Sequence, residues 1–164
     1  MGYKVTKEGS AARERSGDRD ENAFQTFESL EVYRVSREFR KAMYGVTRRL
    51  PEFEKYELSS QIRRAAVSLT NNIAEGHGRF HYPDQIRFIL HSRGSLEELV
   101  DDLNVCLDEN YIPADEIANL KEKARAVLLM INGYLRYLRR HSVSVHEPDE
   151  SYSESAEQLD ALPL

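Results

Sequence analysis

The stretch from Leu58 to Arg79 carries side chains at α-helical spacing, and it constrains the fold more than any other part of the chain. Because successive residues turn by about 100° in a helix, its apolar residues fall on one narrow side. These residues are Leu58, Ile62, Ala65, Leu69, Ile73 and Gly76. The pattern predicts a central helix whose apolar side faces a core.

A second, polar stripe follows the same helix about 120° away, and its middle is almost uncharged. It consists of Gln61, Arg64, Ser68, Asn71, Glu75 and Arg79. A solvated helix face normally fills with Lys and Glu, so Ser68, Asn71 and Asn72 favour a surface that makes contacts. Two interpretations stay open: these side chains hydrogen-bond neighbouring helices of one bundle, or they meet another subunit or a ligand.

Helical patterns also cover three other segments, each bounded by proline or glycine. The first begins at Phe27 and stops before Pro51, which cannot continue a helix. The central helix ends in the glycine-rich residues 76–78, where glycines can adopt left-handed conformations. Pro83 sets the first turn of a third helix, and residues 111–113 begin a fourth.

The fourth helix has a heptad seam with spacings of three and four. The seam residues are Ile117, Leu120, Ala124, Val127, Ile131, Tyr134 and Leu138. Leu128 and Leu135 widen this seam, as a helix with two neighbours requires. Four amphipathic helices with short loops and no strand pattern predict an all-α fold, an antiparallel up-down four-helix bundle in residues 25–141.

Both ends of the chain lack helical periodicity and are predicted to be a disordered arm (1–24) and an acidic disordered tail (142–164). The tail carries six acidic side chains and no Lys or Arg, whereas the arm has five of each sign. That leaves 18 basic and 17 acidic residues in 25–140, although the formal net charge of the whole chain is -5. Net charge alone therefore gives little support to nucleic-acid binding.

Cysteine content and hydropathy predict a cytoplasmic protein that is not associated with membranes. Cys106 is the single cysteine, and it lies on the apolar side of the third helix. It is therefore predicted to be a buried, small hydrophobic residue in a reducing compartment. No run approaches the eighteen apolar residues of a membrane span, and the first twenty residues lack a signal-peptide core.

The third helix carries an arginine and a glycine that need an explanation. Arg93 lies at the edge of the apolar arc, so we expect a carboxylate partner, either Glu97 or Glu75. We predict that Arg64, Glu75 and Arg93 form a buried or half-buried charge network linking the second and third helices. Gly94 lies in the middle of the helix, where glycine costs about 1 kcal/mol relative to alanine. The close approach of another backbone would account for it; simple tolerance of a weak helix former is the alternative.

No catalytic constellation is found, so we expect no enzyme activity, cofactor or metal. His77 and His81 have the spacing of a shared metal site with Glu75, but the surrounding glycines and proline favour a turn, where residues four apart do not converge. The competing hypothesis is a metal-dependent nuclease whose site forms at subunit contacts from Glu75, Arg64, Arg79 and His77.

Basic residues of the first two helices form a candidate nucleic-acid-binding strip. They are Arg34, Arg37, Arg40, Lys41, Arg48, Arg49 and Arg63. A solvated face is the alternative for such a charge run. If the strip binds phosphates, the acidic tail can fold back and compete for it; otherwise the tail only aids solubility.

Three stretches resemble a known family: LEVYRVSREF, LPEFEKYELSSQIRRAAVSLTNNIAEGHGR and FILHSRGSLEEL. They are similar to the four-helix bundle proteins encoded by intervening sequences of bacterial 23S rRNA genes, over about residues 27–140. The shared blocks are QxRRAAxSxxxNIAEGxGR and RGSLxEL. The matching positions here are Gln61, Arg63, Arg64, Ala65, Asn72, Ile73, Glu75, Gly76, Arg79, Arg93, Gly94, Ser95, Leu96 and Glu98. The chain departs from the family pattern at His91 and Ser92, where an aliphatic residue and an alanine are usual.

The resemblance implies a homopentamer with no established enzymatic activity. A more distant relative is the accessory protein of diversity-generating retroelements, which implies RNA or a reverse-transcriptase-like protein as a partner. We therefore expect a noncatalytic, homo-oligomeric bundle that serves as a scaffold or accessory factor. The residues at the positions that match the family blocks, together with Ser68, are expected to have structural or interface roles.

Overall fold

The computed structural model describes residues 26–144, all of them in helices or the connections between helices. The four α-helices are α1 (Glu31–Thr47), α2 (Leu58–His77), α3 (Tyr82–Asp108) and α4 (Ala114–Ser144). Two short 3-10 helices, Phe27–Ser29 and Glu52–Lys55, precede α1 and α2. No strand occurs between residues 26 and 144, which confirms the all-α class with four helices. The predicted arm and nearly all of the predicted tail lie outside the described residues.

Each helix packs against the next, and α4 also packs against α1, so the four helices enclose one shared core. The predicted core side of α2 is confirmed, because all six of its residues are buried. The largest fully buried side chains come from every helix and from the α3–α4 connection. They are Phe39, Met43, Ile62, Leu69, Ile73, Ile89, Leu96, Leu99, Leu103, Ile112, Ile117 and Ile131.

The first helix is interrupted near its predicted start. Residues 27–29 form a 3-10 turn, capped by the Thr26 side chain, which accepts from the backbone N–H of Glu28 at 3.3 Å. Leu30 then adopts an extended conformation with ψ 128°. The helical pattern from Phe27 therefore comprises two pieces, and α1 itself begins at Glu31.

The ends of α2, α3 and α4 test the turn predictions. Pro83 lies in the first turn of α3, as predicted. The expected left-handed glycine is wrong: Gly78 has φ -75°, and its N–H donates back to the carbonyls of Ala74 and Glu75. The one described non-glycine residue with positive φ is Asn110, at 56° in the α3–α4 connection. The fourth helix begins at Ala114, just after the predicted residues 111–113.

Two buried polar side chains of α3, those of Ser92 and Cys106, lie in different environments. Ser92, a departure from the family pattern, donates its hydroxyl hydrogen to the backbone carbonyl of Leu69 on α2 at 2.7 Å. Cys106 is fully buried, as predicted, and burial together with the nearby carboxylates of Asp102 and Glu54 raises the pKa of its thiol to about 11. The thiol is therefore protonated at neutral pH.

Among residues 26–144, no helix is both long and apolar enough to cross a membrane.

Gly76 is expected to be required for the packing of α2 on α3. A Cβ at this position would lie 3.1 Å from Phe88 Cβ and 3.3 Å from the carbonyl oxygen of Gln85. Both atoms belong to or sit next to the α3 backbone and cannot move freely, so Gly76→Ala should lower the free energy of unfolding by about 1–3 kcal/mol. Urea denaturation measures this change.

Gly45 in α1 is the matched control, because a Cβ there meets nothing within 4 Å. Gly45→Ala should raise stability by about 0.4–1 kcal/mol, since alanine restricts the unfolded chain and favours the helix. Equal effects of the two substitutions would contradict the close approach of α3 at Gly76.

Candidate interaction surfaces

A groove of about 610 Å³ runs along the outer side of α2. Residues of α2 form most of it, and Tyr44 of α1 closes one side. Its lining residues are Tyr44, Ser60, Arg63, Arg64, Val67, Ser68, Asn71 and Asn72. The predicted polar stripe therefore faces a concave surface, and the small size of its central side chains leaves the space open.

Some residues of the polar stripe fit the first interpretation, and others fit the second. Asn72 donates to the Ser68 backbone carbonyl and hydroxyl at 2.8 and 3.0 Å, and the Ser95 hydroxyl donates to Ser68 at 2.8 Å. The two bonds of Asn72 lie within α2, whereas the bond of Ser95 joins α3 to α2 of the same chain. By contrast, the side chains of Gln61 and Asn71 are exposed and make no hydrogen bond to any residue in 26–144. The outer part of the stripe is free to contact another molecule.

The predicted charge network of Arg64, Glu75 and Arg93 is wrong for the single chain. All three side chains are exposed. Arg64 donates to the Ser60 hydroxyl at 2.7 Å, and Glu75 pairs with Arg79 one turn further along α2. Water solvates these groups, so α2 and α3 need no buried ion pair to hold them together.

Gly94 does not approach another backbone within the chain. It is exposed, and a Cβ there would meet nothing within 4 Å. Arg93 beside it is exposed as well. The signature residues thus fall into three groups. Ala65, Ile73 and Leu96 are buried in the core, and Gly76 and Ser95 lie at the α2–α3 contact. The third group is on the outside, and contacts within the chain do not explain it.

Most of the candidate nucleic-acid strip is locally neutralised. Four of its seven cations lie near carboxylates: Arg34 with Glu31, Arg37 and Lys41 with Glu38, and Arg49 with Glu116. The other three have no ion pair among residues 26–144: Arg40, Arg48 and Arg63. Arg40 donates to the Thr70 hydroxyl at 2.8 Å, and Arg63 to the Lys55 carbonyl at 3.1 Å. The positive field of the strip is weaker than its sequence indicates.

Three of the four residues of the nuclease hypothesis, Glu75, His77 and Arg79, lie near the end of α2, but Arg64 does not. Arg64 lies eleven residues before Glu75 on the same helix, which corresponds to about 16 Å along the axis. His77 is half-buried in the last turn of α2, while His81 precedes α3. Among the described residues, no three His, Cys, Asp or Glu side chains are grouped so that they could hold a metal ion.

Asp102 is a buried carboxylate that the sequence analysis did not single out. Only 2% of the residue is exposed, and its Oδ2 atom has no hydrogen-bond partner among residues 26–144. Burial, with smaller contributions from Glu98 and Asp101, raises the pKa of Asp102 from 3.8 to about 6. Its position three residues after Leu99 and four before Cys106 places it on the apolar arc, and this spacing is the signal that could have identified it.

The outer side of α3 is acidic. Glu97, Glu98 and Asp101 are all exposed, and none of them forms an ion pair with a residue in 26–144. The acidic residues of α3 and the basic residues of α1 and α2 are therefore carried by different helices of the same molecule.

Comparison with known proteins assigns the chain to a family. The model of the 23S rRNA-intervening sequence protein family matches residues 28–133. The chain belongs to this family. No curated protein matches the chain at a significant level. The family match spans α1, α2, α3 and most of α4, and it includes both signature blocks.

Asp102 makes stability depend on pH. Its pKa is raised in the folded state, so its contribution to stability is complete below about pH 4 and is lost as pH rises through about 6. A shift of this size corresponds to at most about 3 kcal/mol. Asp102→Asn should therefore raise the melting temperature at pH 8 relative to the unmodified protein, with a much smaller difference at pH 4.

Glu97→Gln is the control for this measurement, because Glu97 is exposed in the middle of the same helix and is not one of the carboxylates that raise the pKa of Asp102. Thermal melts of both variants at pH 4, 6 and 8 separate a local effect at Asp102 from a change in net charge. A difference between Asp102→Asn and the unmodified protein that does not vary with pH would contradict the raised pKa.

Proposed function

We propose that this 23S rRNA-intervening sequence family protein is a noncatalytic, homo-oligomeric scaffold or accessory factor for RNA or for a protein partner that processes nucleic acid. The observation that carries the proposal is the outer face of α2 and α3, where the signature residues Gln61, Arg93 and Glu98 are exposed and have no side-chain hydrogen bond or ion pair within residues 26–144. The proposed setting is the cytoplasm, and the proposed assembly is the homopentamer that the family resemblance implies.

An antiparallel, up-down arrangement of the helices is part of this proposal. The connections are short: four residues (78–81) join α2 to α3, and five (109–113) join α3 to α4. Arg49, just after α1, pairs with Glu116 in the first turn of α4. At the other end, the ring of Tyr82 in the first turn of α3 lies 6.2 Å from His141 in α4. Such contacts fit neighbouring helices that run in opposite directions.

Self-association is supported by the distribution of polar groups. Gln61 and Asn71 of α2 and Gly94 of α3 present small or uncharged surfaces, which favour close contact over solvation. The acidic side of α3 and the basic side of α1 and α2 are complementary in sign. Because these are different patches of one molecule, their contact between copies is head-to-tail, and such a contact closes into a ring when the rotation permits.

A role with RNA is supported by the basic residues that keep their charge unpaired, Arg40, Arg48 and Arg63. The basic strip of one copy binds weakly alone, but several copies of the strip around a ring would add avidity. A noncatalytic role is supported by the distance between Arg64 and Glu75 and by the pairing of Glu75 with Arg79. The first feature separates Arg64 from Glu75 within one chain, and the second engages the Glu75 carboxylate with Arg79.

Self-association is expected to be visible at micromolar concentration by analytical ultracentrifugation. Gly94→Leu should shift the distribution toward smaller species, because a bulky side chain would prevent close approach at this position. Ala118→Leu is the control, since Ala118 is exposed on α4 and outside the proposed contact. A monomer for the unmodified protein would refute the proposal, and an unchanged distribution for Gly94→Leu would remove Gly94 from the interface.

The RNA role predicts salt-sensitive binding without cleavage. Labelled structured RNA should bind the protein more tightly at low salt, because released counterions drive the association. If the acidic tail competes for the basic strip, truncation after residue 144 should tighten binding.

The same assay run with and without magnesium tests catalysis. The RNA should remain intact in both conditions. Magnesium-dependent cleavage that Glu75→Gln abolishes would overturn the noncatalytic proposal and support the nuclease hypothesis. Absence of binding by the truncated protein at low salt would leave a scaffold for protein partners.

A further inference from the structure

Aromatic rings gather where the last turns of α4 meet the start of α3. The rings of Tyr134 and Tyr137 are stacked, with centroids 6.1 Å apart and planes 9° apart. Tyr137 lies 4.1 Å from His141, and His141 lies 6.2 Å from Tyr82 at the start of α3. We call these four rings, with Phe80 in the α2–α3 connection, the aromatic end of the bundle.

Core packing accounts for only part of this cluster. Tyr82 and Tyr134 are half-buried and pack against the hydrophobic core. Tyr137 is 51% exposed, and Phe80 is 92% exposed, with its ring edge-on to His81. A ring that leaves most of its surface in water contributes little to the stability of the fold. Phe80 therefore offers an open ring, and Tyr137, which contacts Tyr134 and His141, keeps about half of its surface exposed to another molecule.

At the aromatic end, the charge contributed by α4 is positive, whereas α3 contributes the exposed carboxylate of Asp84 in its first turn. Residues 134–144 include Arg136, Arg139 and Arg140 and no Asp or Glu. All three arginines are exposed, and none forms an ion pair with another residue in 26–144. This distinguishes them from Arg34 and Arg49, which lie beside carboxylates.

A groove extends from the aromatic end toward α1. It has a volume of about 370 Å³, and Tyr134 and Arg136 line it together with Leu30 at the start of α1. Glu31 also lines this groove, but it lies 3.8 Å from Arg34. An apolar slot next to an arginine is suited to a flat ring that carries a nearby negative charge.

We propose that the aromatic end binds single-stranded nucleic acid. Unpaired bases would stack on Tyr137 and Phe80, and the arginines of α4 would contact the phosphates. Exposed aromatic rings interleaved with arginines are the combination that single strands use, since every base has a π-face and every linkage a charge. A duplex is excluded from the same mode, because its bases are already stacked on each other.

This inference deepens the proposed function by naming a ligand class and a site distinct from the strip on α1 and α2. It rests on the nucleic-acid part of the proposed function and not on self-association. An acidic protein segment is the alternative occupant, since it would use the arginines but not the ring faces.

The test is fluorescence anisotropy of the full chain with a labelled 12-nucleotide oligoadenylate and, separately, with an RNA duplex of the same length. The oligoadenylate should bind more tightly than the duplex. Tyr137→Ala should weaken this binding roughly 5- to 100-fold, which is the range for loss of one base–aromatic stack. Tyr137→Phe should bind like the unmodified protein, because it keeps the ring.

Tyr56→Ala is the matched control for the stacking variant. Tyr56 is 79% exposed and lies beside a cation, since Lys55 Nζ is 5.6 Å from its ring, but it belongs to the α1–α2 connection. Its replacement should leave binding unchanged. Circular dichroism melts of every variant would verify that the bundle remains folded.

The phosphate contacts are tested by the salt dependence of binding. Replacing both Arg139 and Arg140 by alanine should lower the slope of log K against log salt by about 1.4, because each single-strand phosphate contact contributes about 0.7. Lys123→Ala with Arg125→Ala removes the same charge from exposed positions of the same helix and should leave the slope unchanged.

Four results would overturn the inference, and the first two are equal binding by Tyr137→Ala and the unmodified protein, and equal binding of duplex and single strand. The third is displacement of the oligonucleotide by polyglutamate, with equal affinity of polyglutamate for Tyr137→Ala and the unmodified protein. This third result would assign the site to an acidic protein segment. Failure of the oligoadenylate to bind would also overturn it, while a ring observed by ultracentrifugation would leave the self-association of the proposed function standing.

Discussion

The contact between α2 and α3 is the interaction on which the rest of the structure depends. Leu69 and Ile73 are fully buried in the core, and Gly76 lets the α3 backbone approach closely. The hydroxyl of Ser92 adds a bond to the Leu69 carbonyl at 2.7 Å. With no Cβ at Gly76 and a satisfied hydroxyl at Ser92, the two helices hold together without a buried ion pair. The polar stripe of α2 is consequently left on the outside, where the groove forms.

Local ion pairs, more than the net charge, determine where this protein presents positive charge that is not neutralised. Lys41 and Arg49 on or just after α1 have carboxylate partners, whereas Arg139 and Arg140 near the end of α4 have none among residues 26–144. An unpaired exposed arginine keeps its full attraction for a phosphate, while a paired one must first release its partner. Asp102 differs from these surface groups, because its carboxylate is buried on the apolar side of α3 and its Oδ2 atom has no partner within residues 26–144. It therefore favours its protonated form.

The sequence predicted those features of the helices that depend only on residues close together in the chain. The spacing predicted both ends of α2, the start of α3 at Pro83 and the burial of Cys106. The turn at Gly78 was wrong, because a right-handed cap satisfies its N–H on the Ala74 and Glu75 carbonyls and no left-handed residue is required. The Arg64–Glu75–Arg93 network failed because helical spacing does not establish whether a side chain at the edge of an apolar arc reaches water.

The sequence by itself determined the all-α class, the four helices and the apolar side of each, because periodicity at 3.6 residues per turn is a local property of the chain. Only the tertiary structure decided which charged groups form ion pairs and that the buried Oδ2 atom of Asp102 has no hydrogen-bond partner within residues 26–144. It also decided that a Cβ at Gly76 would contact α3, whereas one at Gly94 would contact no described residue. It also brought Tyr82 next to His141, far apart in sequence. These outcomes depend on distances between helices, and no spacing within a single helix contains that information.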